Sequence, residues 1–556
     1  MDCVLLRLVF FVGFVDYDSM NDSTGSILQS AKRFFSGTML SRIAGMMRDM
    51  AMAFAFGTQE SVAAFLVAFR FSHLLRRILG EGPLQSALIP QFEALRQQDP
   101  GRAAAFFRSL TASLSALLSL IVVLTMAALW GILLWADLKP GNAEIVQLTL
   151  LMMPSLIFIC LFGINAALLQ CEKSFFTPSA APVAFNLFWI MGTFCLWNFA
   201  SDIAMRWLTV FVNLACVAQW ACTLPLIRHH LKELNGKFTL EPLKIFSKDV
   251  LSLLKPLSIG LIGVSASQIN NALDAVFARY ADAEGPAYLW YAIRIQQLPL
   301  ALFGIAISGA VLPPLARAMK NGNMLQFRTF LDFALRRSMA LMLPITAAIF
   351  VLGDSSINLL YGHGDFDQQA TAGTTLCLWA YGAGLFPMTL VLILVPSFYA
   401  QNDYKTPMHA SLISIVLNIV LNYVMVALLG LGAASVALAT SLSAWVNMWI
   451  LGARLEKSCG YSLSSQFKIS FWKIGTASVM AALAVLAFSN YALLNNYFWI
   501  LLNGGLPVWP RQILQQGEVL LGQAIVFFGC LSGISYLLRA DDLLKLNKND
   551  VPIKTQ

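Results

Sequence analysis

Arginines stand in two apolar segments near the start of the chain, where a charged side chain is costly. Arg42 and Arg48 lie in the first of these segments, and Arg76 and Arg77 lie in the second. An arginine at the centre of a membrane-spanning helix costs about 2.5–3.5 kcal/mol. We therefore expect these guanidinium groups to face a watery cavity, a partner charge or a ligand rather than lipid.

The spacing places acidic side chains beside some of these arginines. At about 100° per residue, Arg42 and Asp49 fall on nearly one face of the first helix. Arg77 and Glu81 are an i, i+4 pair, so Glu81 is placed to orient Arg77. The alternative is snorkelling to the interface, which suits Arg76 and Arg77 better than the arginines of the first segment.

A further arginine, Arg294, lies well inside a later apolar segment without an acid nearby in its own helix. Guanidinium groups bind phosphate in a bidentate way, and the attraction is strong in a low-dielectric cavity. Several arginines with few acids therefore predict an anionic substrate such as a phosphate or diphosphate. A drug-cation exporter would need intramembrane carboxylates instead.

The composition makes the bilayer the main solvent of this chain. Its 556 residues are 58% hydrophobic and 12% charged, with a net charge of +8 and a mean hydropathy of +0.69. Soluble chains are nearer 45–50% apolar and about 25% charged, so a disordered chain or an ordinary soluble enzyme is excluded. The nine cysteines are scattered. We find neither a metal-ligand spacing nor a phosphate-binding loop, and we expect no metal and no cofactor.

Fourteen stretches are expected to span the membrane, so the fold class is an all-α polytopic membrane protein. Lysines and arginines collect in alternate loops, which places both termini in the cytoplasm and supports an even number of helices. The first two stretches are weak because they contain charges. The stretches are 28–56, 60–82, 103–135, 145–170, 178–200, 203–228, 250–280, 287–316, 330–352, 371–398, 407–429, 431–455, 471–492 and 516–538.

A weak internal repeat predicts two six-helix lobes in parallel repeat plus two C-terminal helices. Pro90 and Pro313 follow corresponding helices, and Pro178 and Pro407 precede corresponding helices at nearly the same offset. Transporters are commonly built from such repeats, although proline also recurs at helix ends. The predicted divisions are an N-terminal extension (1–27), the N-terminal lobe (28–230), a basic cytoplasmic loop (231–249), the C-terminal lobe (250–456), and the last two helices with a cytoplasmic tail (457–556).

Five stretches resemble the MurJ (MviN) family of lipid II flippases, in the MOP exporter superfamily. They are Ser41–Asp49, Phe65–Gly82, Ala87–Phe92, Trp290–Pro299 and Pro396–Pro407. The resemblance implies fourteen helices, a V-shaped pair of lobes and a central cationic cavity. It also implies the outward movement of undecaprenyl-diphosphate-linked disaccharide-pentapeptide for peptidoglycan assembly by alternating access. The family places the lipid tail in a groove beside the last two helices.

The resemblance carries the family's important positions onto a substrate-binding set and also shows departures. Where members usually have acids, this chain has Ala63 and Ile293, and Leu392 replaces a lysine of some members. These departures call into question any gating scheme that relies on salt bridges from those acids. The predicted substrate-binding set is Arg42, Arg48, Asp49, Arg76, Arg77, Glu81 and Arg294.

The implied partners are lipid II and membrane lipid, with no nucleic acid. Cell-wall synthesis or division proteins are further candidates, and we expect a monomer. The expected location is the bacterial cytoplasmic (inner) membrane. The chain is not expected to be an enzyme, because no catalytic constellation is visible.

Alternative functions remain open at this point. The nearest is a flippase for another polyprenyl-diphosphate glycan, such as an O-antigen unit, because the physics of anion binding is the same. A multidrug exporter of the same superfamily would need intramembrane acids, which are sparse here. A membrane enzyme acting on polyprenyl phosphate would need an acidic metal-binding cluster at a membrane face, and a channel would leave the central arginines unexplained.

Overall fold

A computed structural model describes residues 24–75, 83–235, 247–491 and 509–544. Within these ranges the regular structure is helical, and no strand occurs. An all-helical chain suits a bilayer, because each helix satisfies its backbone hydrogen bonds internally. The predicted fold class is therefore confirmed.

The helices are numbered α1 to α21 in chain order. Two single π-helical turns, Leu300–Gly304 and Tyr423–Leu428, interrupt them. The helices are α1 (Thr24–Phe56), α2 (Glu60–Leu75), α3 (Pro83–Gln98), α4 (Pro100–Trp135), α5 (Pro140–Met152), α6 (Ser155–Cys171), α7 (Phe176–Ala180), α8 (Pro182–Leu196), α9 (Ser201–Ala221), α10 (Leu224–Asn235), α11 (Lys248–Leu251), α12 (Leu254–Ala281), α13 (Gly285–Pro299), α14 (Ile305–Lys320), α15 (Met324–Tyr361), α16 (Gln368–Tyr399), α17 (Lys405–Asn422), α18 (Ala434–Cys459), α19 (Ser465–Tyr491), α20 (Ile513–Leu537) and α21 (Asp541–Leu544).

Capping side chains fix where several of the long helices begin. The carboxylate of Asp99 accepts a hydrogen bond from the Gly101 amide at 2.9 Å, and Pro100 occupies the first turn of α4. The carboxylate of Asp367 accepts from the Ala370 amide at 2.7 Å at the start of α16. Such caps satisfy amides that have no partner inside the helix, and proline at the first position has no amide hydrogen to satisfy.

Nine helices of the described ranges are long and apolar enough to cross a membrane, and a bent pair would make ten. The bent pair is α5 and α6, which meet at an angle of 48°. Pro154 lies in the break, and proline cannot donate the hydrogen bond that would continue a helix. The predicted stretch 145–170 is thus two helices, and the count of fourteen stays a prediction.

Helix α3 falls outside the predicted spans. Helix α3, which contains Pro90, lies between the second and third predicted stretches and carries polar residues along much of its length. Its apolar side chains Leu88 and Phe92 are 1% exposed, so one stripe of the helix is packed. A short, mixed stripe of this kind is typical of an amphipathic helix rather than a membrane span.

The chain divides into two compact units, residues 1–275 and 276–556. The domain boundaries predicted from the sequence remain predictions. In the second unit α16 and α18 approach closely, because a Cβ at Gly384 would lie 2.8 Å from the Ser441 Cα. Ser441 Oγ donates to the Ala380 carbonyl across the same contact at 2.6 Å. The glycine therefore serves close helix packing.

Ion pairs tie the end of the second unit to α15. Arg336 donates to Asp332 at 2.9 Å and to Asp542 at 3.1 Å, and Ser470 Oγ donates to Asp542 at 2.5 Å. The Tyr461 hydroxyl donates to Asp332 at 3.0 Å, and burial beside that carboxylate raises the pKa of Tyr461. This network holds the short α21 against α15 and α19.

Candidate functional site

Arg48 is a buried charge in the middle of α1. It is 7% exposed, and the neighbouring Asp49 is 3% exposed. The guanidinium donates to one carboxylate oxygen of Asp49, from Nη2 at 2.8 Å and from Nε at 3.1 Å. The sequence analysis expected such an arginine to face a cavity, a partner charge or a ligand, and Asp49 is a partner charge. A buried charge needs an opposite charge and full hydrogen bonding.

Two residues of α8 complete the surroundings of Arg48. Its Nη1 donates to Asn186 Oδ1 at 3.1 Å, and the guanidinium carbon lies 4.7 Å from the ring centroid of Trp189. Asn186 Nδ2 in turn donates to the Ser41 carbonyl at 3.3 Å. One amide thus ties α1 to α8 twice, and the indole face adds cation–π attraction.

An aromatic cluster packs against Trp189. Phe65 and Phe69 of α2 meet the indole edge-on, with ring centroids 5.4 Å and 4.9 Å away. His73 stacks on Phe69 at 4.0 Å and is 8% exposed. Edge-to-face aromatic packing of this kind is rigid, so the plane on which Arg48 rests is fixed by α2 and α8 together.

The other predicted residues of the first unit are placed differently. Arg42 lies on α1, about two helical turns before Asp49, and its side chain is exposed. Asp49 contacts its chain neighbour Arg48, although the spacing puts Asp49 on nearly the same face of the helix as Arg42. The predicted residues Arg76, Arg77 and Glu81 lie outside the residues that the structure describes.

Arg294 belongs to the second unit, on α13. Its side chain is half-buried, and its guanidinium carbon lies 4.3 Å from the ring centroid of Trp290, one helical turn earlier. Helix α13 ends at Pro299, and a π-helical turn follows. Such turns occur at functional sites more often than chance, because they re-aim the side chains around them. Cation–π contact with an indole holds the guanidinium in one orientation.

Of the predicted set, the structure brings Arg48 and Asp49 into direct contact. It adds Asn186 and Trp189, which the sequence analysis did not place in the site. The sequence contained one signal for Asn186, since an asparagine follows the proline in each half of the repeat, Asn186 after Pro178 and Asn418 after Pro407. Asn418 also lies in a polar contact, donating to Thr440 Oγ1 at 3.2 Å.

One departure from the family pattern, Ala63, is consistent with its surroundings. Ala63, where the family usually has an acid, is completely buried on α2 two residues before Phe65. A carboxylate at this depth would need a cation or several hydrogen-bond donors to offset its lost hydration. The small apolar side chain avoids that cost.

An apolar cavity of about 580 Å³ lies in the second unit. Helices α16, α18 and α19 supply much of its lining, which includes Trp445, Trp449 and Trp472, with Glu456 and Lys468 as charged members. Its size falls within the range of small-ligand pockets, about 300–1,000 Å³. A cavity of this composition suits a hydrocarbon chain.

The fold is similar to those of solved transporters of the MOP superfamily. A solved structure of a multidrug resistance MATE transporter of that superfamily, in an inward-facing conformation, aligns with a TM-score of 0.59 at 15% identity, covering 77% of this chain and 99% of that one. A structure of "Lipid II flippase MurJ, inward closed conformation" aligns with a TM-score of 0.69 at 25% identity, covering 90% and 99%.

The sequence comparisons narrow the class to one family. The family model "Lipid II flippase MurJ" matches residues 52–503. A "Probable lipid II flippase MurJ" from Chlamydia muridarum (strain MoPn / Nigg) is 33% identical over 531 residues, which cover 94% of this chain and 97% of the relative. A "Lipid II flippase MurJ" from Burkholderia cenocepacia is 29% identical over 460 residues, covering 80% and 87%. The chain belongs to the MurJ family of lipid II flippases.

Proposed function

We propose that this protein moves lipid II, the undecaprenyl-diphosphate-linked precursor of peptidoglycan, from the inner to the outer leaflet of the bacterial cytoplasmic membrane. The observation that carries the proposal is family membership along nearly the whole chain, since the chlamydial relative aligns with 94% of it. The sparse intramembrane carboxylates and the arginines of α1 and α13 favour an anionic cargo over a cationic drug.

The diphosphate is the part of the substrate that the arginines recognise in this proposal. Arg48 rests on Trp189 in a dry environment, where a phosphate is attracted far more strongly than in water. Its fork is engaged by Asp49 and Asn186, so the anion would exchange with one of these partners. The rest of the proposed binding set is Arg42, Arg76, Arg77, Glu81 and Arg294.

The lipid tail stays in an apolar environment during transport. We assign part of it to the cavity of about 580 Å³, which α19, one of the last two long helices, helps to line. Because the tail is surrounded by hydrocarbon both in the bilayer and in this cavity, it avoids the cost of about 0.8 kcal/mol per methylene group that exposure to water would bring. The protein performs this movement by alternating access and makes or breaks no covalent bond in the substrate.

The proposed orientation has both termini in the cytoplasm. Lysines and arginines collect in alternate loops, and the longest basic loop contains Lys237, Lys244 and Lys248. Cytoplasmic loops retain such residues during insertion. In this orientation the substrate enters from the cytoplasmic face, which carries the basic loop. Lipid II is made on that face.

Complementation tests the proposal directly. Cells depleted of their own lipid II flippase should survive when they express this chain, because it supplies the missing outward movement of the precursor. Survival after depletion is measured by colony counts, and membrane levels of the protein are measured in parallel. Failure to rescue by a chain that is present and folded in the membrane would contradict the proposal.

The membrane potential should accelerate outward flipping. With the inside negative, moving an anion outward is favourable by about 2.3 kcal/mol per charge per 100 mV, and two phosphate charges give roughly twice that. We expect the rate of lipid II appearance in the outer leaflet of energised vesicles to fall when a potassium ionophore dissipates the potential. An unchanged rate would remove the potential as the driving force.

A further inference from the structure

Two histidines and a glutamate of α10 converge at one end of the first unit. The spacing i, i+1 and i+4 puts His229 and His230 on either side of Glu233 on the helix surface. Glu233 Oε2 lies 3.5 Å from His229 Nδ1 and 3.3 Å from His230 Nδ1. One ligand atom from each of the three residues lies within 4.8 Å of the others.

Glu172 approaches the same point from a different element, directly after the end of α6. Its Oε2 lies 3.8 Å from His230 Nδ1, and its side chain is only 10% exposed. Among the described residues, its Oε1 accepts no hydrogen bond, although Arg96 Nη1 lies 3.3 Å away. Burial raises the pKa of Glu172, which Arg96 and His230 partly offset. The carboxylate oxygen that faces His230 is Oε2, which also accepts a hydrogen bond from Arg96 Nη2.

These distances correspond to the edges of a tetrahedral metal site. Zinc bonds to imidazole nitrogen and carboxylate oxygen are about 2.0–2.2 Å long, so neighbouring ligand atoms of a tetrahedron lie about 3.3–3.5 Å apart. The two distances from Glu233 fit this value. Glu172 lies outside the group of ligand atoms that are within 4.8 Å of one another, so it joins the other three only after its side chain moves towards them. Two imidazoles with carboxylates favour a zinc-like ion over magnesium or calcium, which prefer oxygen ligands.

Arg96 is the cation that competes for Glu172. Its Nη2 donates to Glu172 Oε2 at 3.3 Å, and its Nη1 also lies 3.6 Å from a carboxylate oxygen of Glu93. If a metal took Glu172, Arg96 would keep the Glu93 carboxylate as a partner. The exchange therefore does not leave a buried charge without an opposite charge.

We propose that His229, His230 and Glu233 form a site for Zn²⁺ or a similar transition-metal ion, and that Glu172 moves in as the fourth ligand and fastens α10 to the end of α6. The proposal is independent of the transported substrate. The exposed edge formed by His229 and Glu233 provides the entry path for the ion, and Glu172 provides the link between the two elements. The metal would stabilise the C-terminal end of α10, which leads into the basic loop.

Zinc binding to the purified full-length protein tests this site. Untagged protein in nanodiscs should bind one Zn²⁺ per chain in a calorimetric titration, with a Kd of about 1 µM or tighter, in the presence of millimolar Mg²⁺. The substitution H230A should weaken binding by at least about 100-fold, since loss of a supporting group alone costs 10–100-fold. The matched control H409A removes an exposed histidine of the second unit and should leave binding unchanged.

The link to α6 is tested by E172Q, which keeps the shape of the side chain and removes its charge. We expect binding to weaken by about 10-fold or more. We also expect the rise in thermal unfolding temperature that zinc produces in the parent protein to shrink. Absence of zinc binding to the parent protein, or binding that H230A leaves intact, would overturn the site. Binding that E172Q leaves intact would overturn the link between α10 and α6.

Discussion

Replacing Arg48 by alanine should abolish rescue of flippase-depleted cells. The substitution removes the guanidinium that we propose binds the diphosphate. It also leaves Asp49, which is 3% exposed, without the partner at 2.8 Å that neutralises it. Breaking a buried pair from one side costs about 3–5 kcal/mol, so part of the loss should appear as a lower level of folded protein.

A double substitution separates the structural effect from the transport effect. R48A/D49A removes both charges, so we expect the amount of folded protein in the membrane to recover relative to R48A. Growth should still fail, because the anion-binding group is gone. Growth restored by the double substitution would mean that Arg48 serves only to pair Asp49, and our assignment would be wrong.

A conservative substitution and a matched control sharpen this result. R48K keeps the charge but not the fork that reaches Asp49 and Asn186 together, so we expect slow growth rather than full rescue. R206A removes an exposed arginine of α9 and should rescue as well as the parent chain. Colony counts at matched membrane levels of protein compare all four variants.

The sequence predicted the long helices well and the partners of Arg48 poorly. Apolar runs reveal helices because period and composition are local properties of the chain. Neighbouring residues on a helix point about 100° apart, so the spacing put Asp49 on the face of Arg42 and gave no indication of a contact between Asp49 and Arg48. A long guanidinium side chain can bend back to its neighbour, and the spacing rule does not describe that. Asn186 and Trp189 are distant in sequence, so only the packing of α1 on α8 could reveal them.

The same limit explains two further differences. Helix α3 has no continuous apolar run, so the search for membrane spans passed over it, although one of its stripes is buried. Three of the proposed metal ligands, His229, His230 and Glu233, lie within five residues, a mixed histidine–glutamate spacing that was not recognised as a ligand pattern. Only tertiary contact brings Glu172 near them. Patterns that depend on tertiary contact are invisible to local periodicity. Costly charges in apolar segments are visible in the sequence, which is why Arg48 and Arg294 were selected as candidate residues.

Replacing Arg294 by alanine should also abolish rescue, with a different signature. Its guanidinium is half-buried against Trp290 on α13, just before the π-helical turn at Leu300–Gly304. We expect R294A to reach the membrane at nearly the level of the parent chain. Its transport should nevertheless be lost, since the charge that we propose acts on the cargo is gone. Full growth of R294A cells would remove Arg294 from the binding set.

Two milder substitutions test whether the orientation of this guanidinium matters. R294K keeps the positive charge but loses the planar fork, so we expect flipping of lipid II in proteoliposomes to show a raised KM. W290F keeps an aromatic face but weakens the cation–π contact, which is worth about 0.5–2 kcal/mol, so its effect should be smaller and in the same direction. If W290F lowered kcat and left KM unchanged, the indole would act on the conformational step instead of holding Arg294 for the anion. Equal KM values for R294K and the parent chain would show that charge alone suffices at this position.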